Sequence, residues 1–459
     1  MKFKIYFCVA ISAVLFTASP VFAFQATFLP RMSVSGEYTD NLYLSEDNEE
    51  DELITVISIG FTTELLWQHA GIELSYDPAA VLYHELSEND TWRHTALLYG
   101  WADLTRNNRL EIRDAFMRTE DPFGEEEINH LRTEDPAIEA DPTLRTRREP
   151  YWTNTSSLRF TNRFGENDSI YLEYAYGILE NEDKTLEDNT RHIPSAGLTY
   201  WFTPRWGFEL TGTYTKAEYD REDEFFTGPD AGDPSDDFDQ WEGNIRLIKQ
   251  FSRQLEGHLG YIHIYFDSKA ASGEEDYQIY NPYIGFDYSI TADKTIAVDV
   301  GYFFQDYKEE TDERDDDSGI TANAIFEKTF RRGSVSLTGS GGYDGAYFGA
   351  ENLGLSTFYE AGIDADYNLT RRITGDIFGS YRQDKYEEET PTRRDKTTRG
   401  GVGLTYGYER WLSSNINFNI RVEYSYRNFN STIDEDDYIE NRGLLTITLT
   451  RSQPYRSGN

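Results

Sequence analysis

The chain holds one cysteine in 459 residues, Cys8, inside the apolar run that opens the sequence. Beyond that run there is no material for a disulfide, a thiol nucleophile or a thiolate metal site. Long hydrophobic runs are also missing. After residue 23 nothing approaches the ~18 apolar residues of a membrane-crossing helix, which excludes a helical membrane protein. Positive charge is scarce, with 43 Lys and Arg against 82 Asp and Glu and a formal net charge of -39, so nucleic acid is not an expected partner. The 7 histidines form no metal or triad arrangement. His258 and His263 are an odd number of residues apart and would face opposite sides of one strand. No Gly-x-Ser-x-Gly elbow, phosphate loop or zinc signature is found. No catalytic residue, cofactor or metal ligand is therefore expected, and the chain does not read as an enzyme.

Aromatic residues are abundant. Hydrophobic residues make up only 38%, yet 15% of the chain is aromatic, with 33 Tyr and 28 Phe. A disordered acidic chain would lack them. At the start, Lys2 and Lys4 precede an apolar stretch from Ile5 to Phe16 and then Ala18, Ser19, Pro20, Val21, Phe22 and Ala23. This is the pattern of a secretory signal cut after Ala23. The expected division is a signal peptide at 1–23 and one unit at 24–459. The short stretch between Ala23 and the first strand near Arg31 leaves no room for a plug or a periplasmic scaffold.

Period-two alternation runs through the rest. Ile416, Phe418, Ile420, Val422, Tyr424 and Tyr426 alternate with Asn417, Asn419, Arg421, Glu423, Ser425 and Arg427, giving one greasy face and one charged face. The same pattern recurs at Ile296 to Phe304, Ile170 to Tyr176 and Trp206 to Leu210. Short turns near His69-Ala70-Gly71, Arg106-Asn107-Asn108, Gly165-Glu166-Asn167, Pro204-Arg205, Ser252-Arg253, Asp293-Lys294, Arg331-Arg332-Gly333, Arg371-Arg372 and Arg410 to Ser413 recur every roughly 40 residues, one hairpin per period. Longer acidic connections alternate with them, including Glu46 to Glu52, Arg118 to Pro150 and Asp220 to Asp239. The fold expected is an all-β, transmembrane, up-and-down antiparallel β-barrel of about 20 strands, range about 16 to 22, with both ends on the short-turn side. In lipid an open sheet edge costs several kcal/mol per unpaired group, so the sheet must close. A propeller would show four short strands per period, and a soluble barrel would expose its Tyr, Phe, Ile and Val face to water.

If the apolar set meets lipid, the intervening residues line the lumen. The pore-lining candidates are Arg113, Arg159, Glu173, Glu209, Arg246, Asp299, Asp376, Arg382, Arg421, Glu423 and Arg427, with Glu111 and Glu242 beside them. Arginine on the lipid side near midplane would cost roughly 2 to 4 kcal/mol. Such a wall could hydrogen-bond sugar hydroxyls and steer ions. Trp67, Trp101, Trp152, Trp201, Trp206 and Trp411 are expected as an interfacial girdle on the short-turn side, and Tyr43, Tyr83, Tyr219, Tyr307, Tyr386 and Tyr438 as the girdle at the other. Asp315-Asp316-Asp317 and Asp434-Glu435-Asp436-Asp437 could bridge divalent cations to lipopolysaccharide, although solvation of loops is the simpler role. The segment Arg118 to Pro150 could fold inward as a constriction.

The phrases Gly36-Glu37-Tyr38-Thr39-Asp40-Asn41-Leu42-Tyr43, Leu53-Ile54-Thr55-Val56, Leu74-Ser75-Tyr76, Glu88-Asn89-Asp90-Thr91 and Leu104-Thr105-Arg106, with Tyr83, resemble the putative β-barrel porin 2 family. The resemblance spans roughly the first 100 residues of the barrel region. It implies an outer-membrane barrel often encoded beside exopolysaccharide genes, hence a role in passing or assembling surface polysaccharide. Outer-membrane lipids, lipopolysaccharide, the exported polysaccharide, periplasmic export machinery and the barrel-assembly machinery are the partners implied. A general diffusion porin, a structural or adhesive barrel and an outer-membrane hydrolase are the rival classes. One departure is the chain end, where Gly443 to Leu449 is followed by Thr450 to Asn459 without a terminal Phe.

Overall fold

A computed structural model describes residues 24–122, 148–183, 186–220, 237–269, 276–308, 317–346, 354–386, 392–411, 415–433 and 436–457. The expected signal peptide, most of the Arg118 to Pro150 segment, and most of the two acidic runs offered as cation sites lie outside the described residues. The strands are β1 (Gln25–Thr39), β2 (Glu52–Leu66), β3 (Ala70–Tyr83), β4 (Thr91–Asp103), β5 (Asn108–Thr119), β6 (Tyr151–Arg163), β7 (Ser169–Asn181), β8 (Asp188–Thr203), β9 (Trp206–Asp220) and β10 (Phe238–Gln250). They continue as β11 (Leu255–Ser268), β12 (Tyr277–Thr291), β13 (Lys294–Tyr307), β14 (Ser318–Phe330), β15 (Gly333–Ala346), β16 (Gly354–Asn368), β17 (Ile373–Tyr386), β18 (Arg393–Trp411), β19 (Ile416–Ser431) and β20 (Tyr438–Arg451). A short β21 (Tyr455–Ser457) extends β20.

Each strand pairs antiparallel with the next, and β20 returns to β1 from Arg31↔Thr450 to Thr39↔Arg442. The result is a closed, 20-strand, up-and-down barrel with no free edge, as the alternation predicts. Strands β1 to β20 run from 12 to 19 residues. The outer face carries the exposed apolar residues, such as Val34, Ile59, Leu172, Leu210, Ile284, Val300, Ile320, Tyr359, Val402, Val422 and Leu445. No single inward core exists as in a soluble sandwich. The buried side chains gather instead in clusters near the long-connection end of the strands.

The turn chemistry is local and repeated. At four short turns a hydroxyl accepts two backbone N–H groups that the sharp reversal leaves unpaired: Thr105 from Asn107 and Asn108, Thr203 from Arg205 and Trp206, Ser252 from Gln254 and Leu255, and Thr370 from Arg372 and Ile373. At the opposite end an aspartate at or just before the start of the returning strand takes the backbone N–H where the preceding strand ends. Asp90 serves Tyr83, Asp188 serves Asn181, Asp237 serves Tyr219, Asp276 serves Ser268 and Asp437 serves Ser431. Part of the acidic content of the long connections thus closes the top rung of the sheet, a charge-assisted hydrogen bond stronger than a neutral one. Asp436, in one of the runs considered for cations, pairs with Arg393 at 2.9 Å.

Two aromatic expectations are corrected. Tyr83, Tyr219, Tyr307, Tyr386 and Tyr438 do not form an outer girdle; they lie on the inner face and are buried. Tyr43 donates no such belt either, since it packs beside the buried Leu42 cluster and its hydroxyl accepts from Asn89. The strand phase explains this: Tyr307 is out of step with Val298, Val300 and Tyr302, and Tyr219 with Phe208 and Leu210. Trp92, Trp152 and Trp241 are outward indoles at that end, Trp92 and Trp241 each more than half exposed.

Among the tryptophans assigned to the short-turn side, Trp152 sits at the long-connection end of β6, and Trp101 and Trp201 face inward. Each of those two lies over a glycine on the paired strand. A Cβ at Gly71 would meet Trp101 Nε1 at 2.6 Å, and one at Gly207 would meet Trp201 Cδ2 at 2.8 Å, so only glycine leaves room for the ring. Trp67 does stay at the short-turn end, packed against Phe24. At the chain end Tyr455 of β21 stands outward, opposite Phe28, with the Arg451 guanidinium 3.4 Å from its ring centre. An aromatic residue therefore does close the final strand edge, beyond an interruption at 452–454.

Candidate functional site: the inner wall

Pairing register fixes which face each candidate occupies. Arg113 of β5 pairs with Tyr99 and Ser157, in step with Glu111 and out of step with Leu110 and Ile112. By the same test Arg159, Glu173, Glu209, Arg246, Asp299, Asp376, Arg382, Arg421, Glu423 and Arg427 all lie on the face opposite the exposed apolar set. Glu111 and Glu242 join them.

Most of these charges are tied to neighbours on adjacent strands. Arg159 approaches Glu173 at 3.5 Å and lies over the Tyr171 ring at 4.0 Å. Arg246 meets Glu209 at 2.9 Å. Arg421 donates to both oxygens of Asp376 at 2.8 Å and bridges to Glu423 at 2.7 Å. Arg382 holds Asp344 and Asp384, each at 2.8 Å, and stacks on Phe358 at 4.4 Å. Asp299 is hydrogen-bonded to the buried His258, while His263 points outward beside Tyr261 and Tyr280. Arg113 lies 5.6 Å from the Tyr99 ring centre. The Arg382 and Arg421 guanidinium groups, each held by two carboxylates, keep a fixed direction.

The densest constellation was not singled out from sequence. At the long-connection end of the seam where β20 meets β1, Arg442 bridges to Glu37 at 2.8 Å and to Asp121 at 3.3 Å. Arg93 binds Glu120 at 2.6 Å, and Glu120 also accepts the Tyr83 hydroxyl at 3.0 Å. Arg148, from the connection between β5 and β6, is wholly buried among them; its Nε donates to the Leu42 carbonyl at 3.1 Å. Burial works against the Arg148 charge, but Asp121, Glu37 and Tyr83 outweigh it and raise its pKa.

The residues Gly36 to Leu42 that carry the family resemblance build this seam. Thr39 donates to Glu440, Asp40 accepts from the backbone of Asn441, and Asn41 donates to the carbonyls of Ser45 and Ile439. The turn they form sends Leu42 and Leu44 inward to full burial, with Leu44 in a left-handed backbone (φ 51°). In-phase parity could have flagged Glu37, Arg93 and Arg442, but only closure brings them together.

A carboxylate stands on the lipid-facing side of β5. Asp114 pairs with Leu98 and Ser156 and is in step with Ile112 and Phe116 on the outer face. Ser156 donates to it at 2.5 Å and Asn154 at 3.2 Å, so the carboxylate is satisfied on the surface rather than solvated.

A closed barrel with a lipid-compatible exterior and a charged, hydroxyl-rich interior defines an outer-membrane β-barrel porin. The family comparison agrees with the phrases near the N-terminus: residues 25–146 and 349–451 match the family described as putative beta-barrel porin 2. No curated protein matches the sequence. Among solved structures, a mutant ferric enterobactin receptor from Pseudomonas aeruginosa is similar in fold, at 9% identity and TM-score 0.53, covering 95% of this chain and 82% of that one. OccK2 (OpdF) of the same organism in complex with glucuronate gives 11% identity and TM-score 0.43, covering 93% and 98%. The outer membrane protein OpdK, also from P. aeruginosa, gives 12% and 0.42, covering 92% and 99%.

Proposed function

We propose that the barrel is an aqueous conduit of the outer membrane that serves the export of surface polysaccharide and works with periplasmic export machinery. The observation that supports this reading is the inner wall. Its ion-paired arginines, carboxylates, Thr and Ser hydroxyls and inward rings such as Tyr171 and Trp101 offer a chain of sugars many hydrogen-bonding positions and few apolar ones. Fixed guanidinium–carboxylate pairs bind a sliding polymer weakly at many points, as transport requires.

The inward aromatics at the long-connection end favour a second reading, a pore for small solutes. Phe238, Phe266, Tyr277 and Phe303 are buried there, and bulky side chains at a mouth reduce its width. Planar-bilayer recordings on purified protein separate the two. A polysaccharide conduit shows single-channel steps that oligosaccharides block in a length-dependent manner, and its deletion depletes surface polysaccharide. Current unaffected by sugars, with unchanged polysaccharide in the deletion strain, would leave the small-solute reading. Folded protein that carries no current would reject both.

A further inference from the structure

The charges on the inner wall are unevenly distributed around the ring. On β11 through β16 no lysine or arginine faces inward among the described strand residues; the lysines there, Lys294 and Lys328, are on the outer phase. The inward charges of that arc are carboxylates, including Glu256, Asp287, Asp299, Glu327, Asp364 and Asp366. Three of them have hydrogen-bond partners that are neutral or weakly basic: Thr295 for Glu327, Ser334 for Asp366 and His258 for Asp299; at the edge of the arc Asp344 and Glu360 are instead held by Arg382 of β17. Opposite β15 and β16 in the ring, β5 and β6 present Arg109, Arg113, Arg159 and Arg163 inward.

The two arcs do not cancel, because their local neutralisation differs. Arg109 has Asp103 at 3.7 Å and Glu111 at 3.5 Å, and Arg159 has Glu173 at 3.5 Å. A charge paired at such distances is largely extinguished as seen from the lumen centre, whereas a carboxylate bonded to a hydroxyl keeps its full charge. Low-dielectric walls then focus the surplus negative field into the water column.

We infer that the lumen passes cations in preference to anions, with the cation path along the β11–β16 wall. No ion is held at a fixed point; selection is by potential. The inference rests on the pore reading above and adds the solute class: hydrated metal cations, amine-bearing solutes and, for a polymer, neutral or amine-bearing sugars ahead of uronate-rich ones. The field reaches only about 8 to 10 Å at ordinary ionic strength, so the preference should weaken as salt rises.

The test is the reversal potential of purified barrels in a planar bilayer under a KCl gradient. The expected result is a potential of the sign given by K⁺ exceeding Cl⁻ permeability, larger at 0.1 M than at about 1 M salt. Replacing Glu327→Gln, Asp364→Asn and Asp366→Asn together should lower the permeability ratio roughly twofold or more. Asp293→Asn, in the turn outside the lumen, should leave it unchanged. Should the triple replacement fail to fold, the single Asp364→Asn change at an exposed position gives a smaller shift in the same direction. Chloride preference in the unmodified protein, or a ratio untouched by every inner replacement while current persists, overturns the inference and leaves the pore reading standing. Absence of current from folded barrels overturns both.

Discussion

Arg442 of β20 and Glu37 of β1 meet at 2.8 Å across the seam that closes the barrel, with the Glu37 side chain only 2% exposed. Because the two strands lie at opposite ends of the chain, this ion pair forms only when the ring has closed. The carboxylate would otherwise be left buried beside Asp121 and Glu440 without its nearest cation.

Removing that cation should be costly. Arg442→Met leaves Glu37 and Asp121 buried with Arg148 and Arg93 as the remaining cations nearby, and breaking a buried pair from one side typically costs about 3 to 5 kcal/mol. The measurement is the denaturant midpoint for folding into liposomes, read on the heat-modifiable gel band. Adding Glu37→Met should recover part of the loss; a single replacement as stable as the unmodified protein would show that the seam is held by backbone pairing alone.

Face assignment is directly testable because the only cysteine, Cys8, precedes the first strand. Thr211→Cys, on the inner face of β9, should react with a charged thiol reagent supplied in water, whereas Leu210→Cys, 47% exposed on the outer face, should be protected once the barrel is in lipid. Equal labelling of both positions would contradict the register.

Asp114 makes a paired prediction. Asp114→Ala strands the Ser156 hydroxyl and Asn154 amide on an apolar surface, a cost of about 1 to 3 kcal/mol. Replacing all three by Leu should be neutral or stabilising, because lipid then meets only apolar atoms. Urea or guanidinium titrations in liposomes decide it. Loss of stability in the triple replacement would mean that this polar trio has a further partner.

The aspartates that close the top rungs should behave alike despite their different loops. Asp90→Ala leaves the Tyr83 backbone N–H without its 2.8 Å partner, and Asp188→Ala does the same for Asn181. A loss of about 1.5 to 3 kcal/mol, typical of a hydrogen bond to a charged group, is expected for each. Faster amide exchange at Tyr83 and Asn181, with little change at mid-strand, is the accompanying signature.

The outer faces were readable where alternation is long and unbroken, as from Ile416 to Tyr426, and the turn hydroxyls were readable as polar punctuation. For the tyrosines near strand ends residue type and phase disagree: amphipathic rings suit a membrane boundary, yet their phase turns them inward. Counting from Val300 would have put Tyr307 inside. Trp101 and Trp201 had a subtler signal, the glycines Gly71 and Gly207 that become their partners only once register is known.

What the chain's order of residues determined by itself is the two-sidedness of every strand and the number of reversals, since side-chain direction alternates with a period of two whatever the strand's neighbours are. What only the closed structure decided is which charges meet: Arg442 with Glu37, Arg148 among Glu37 and Asp121, and an arginine arc set across from a carboxylate arc. Those relations depend on ring closure and register, and Coulomb forces act on distance in space, which sequence separation does not supply.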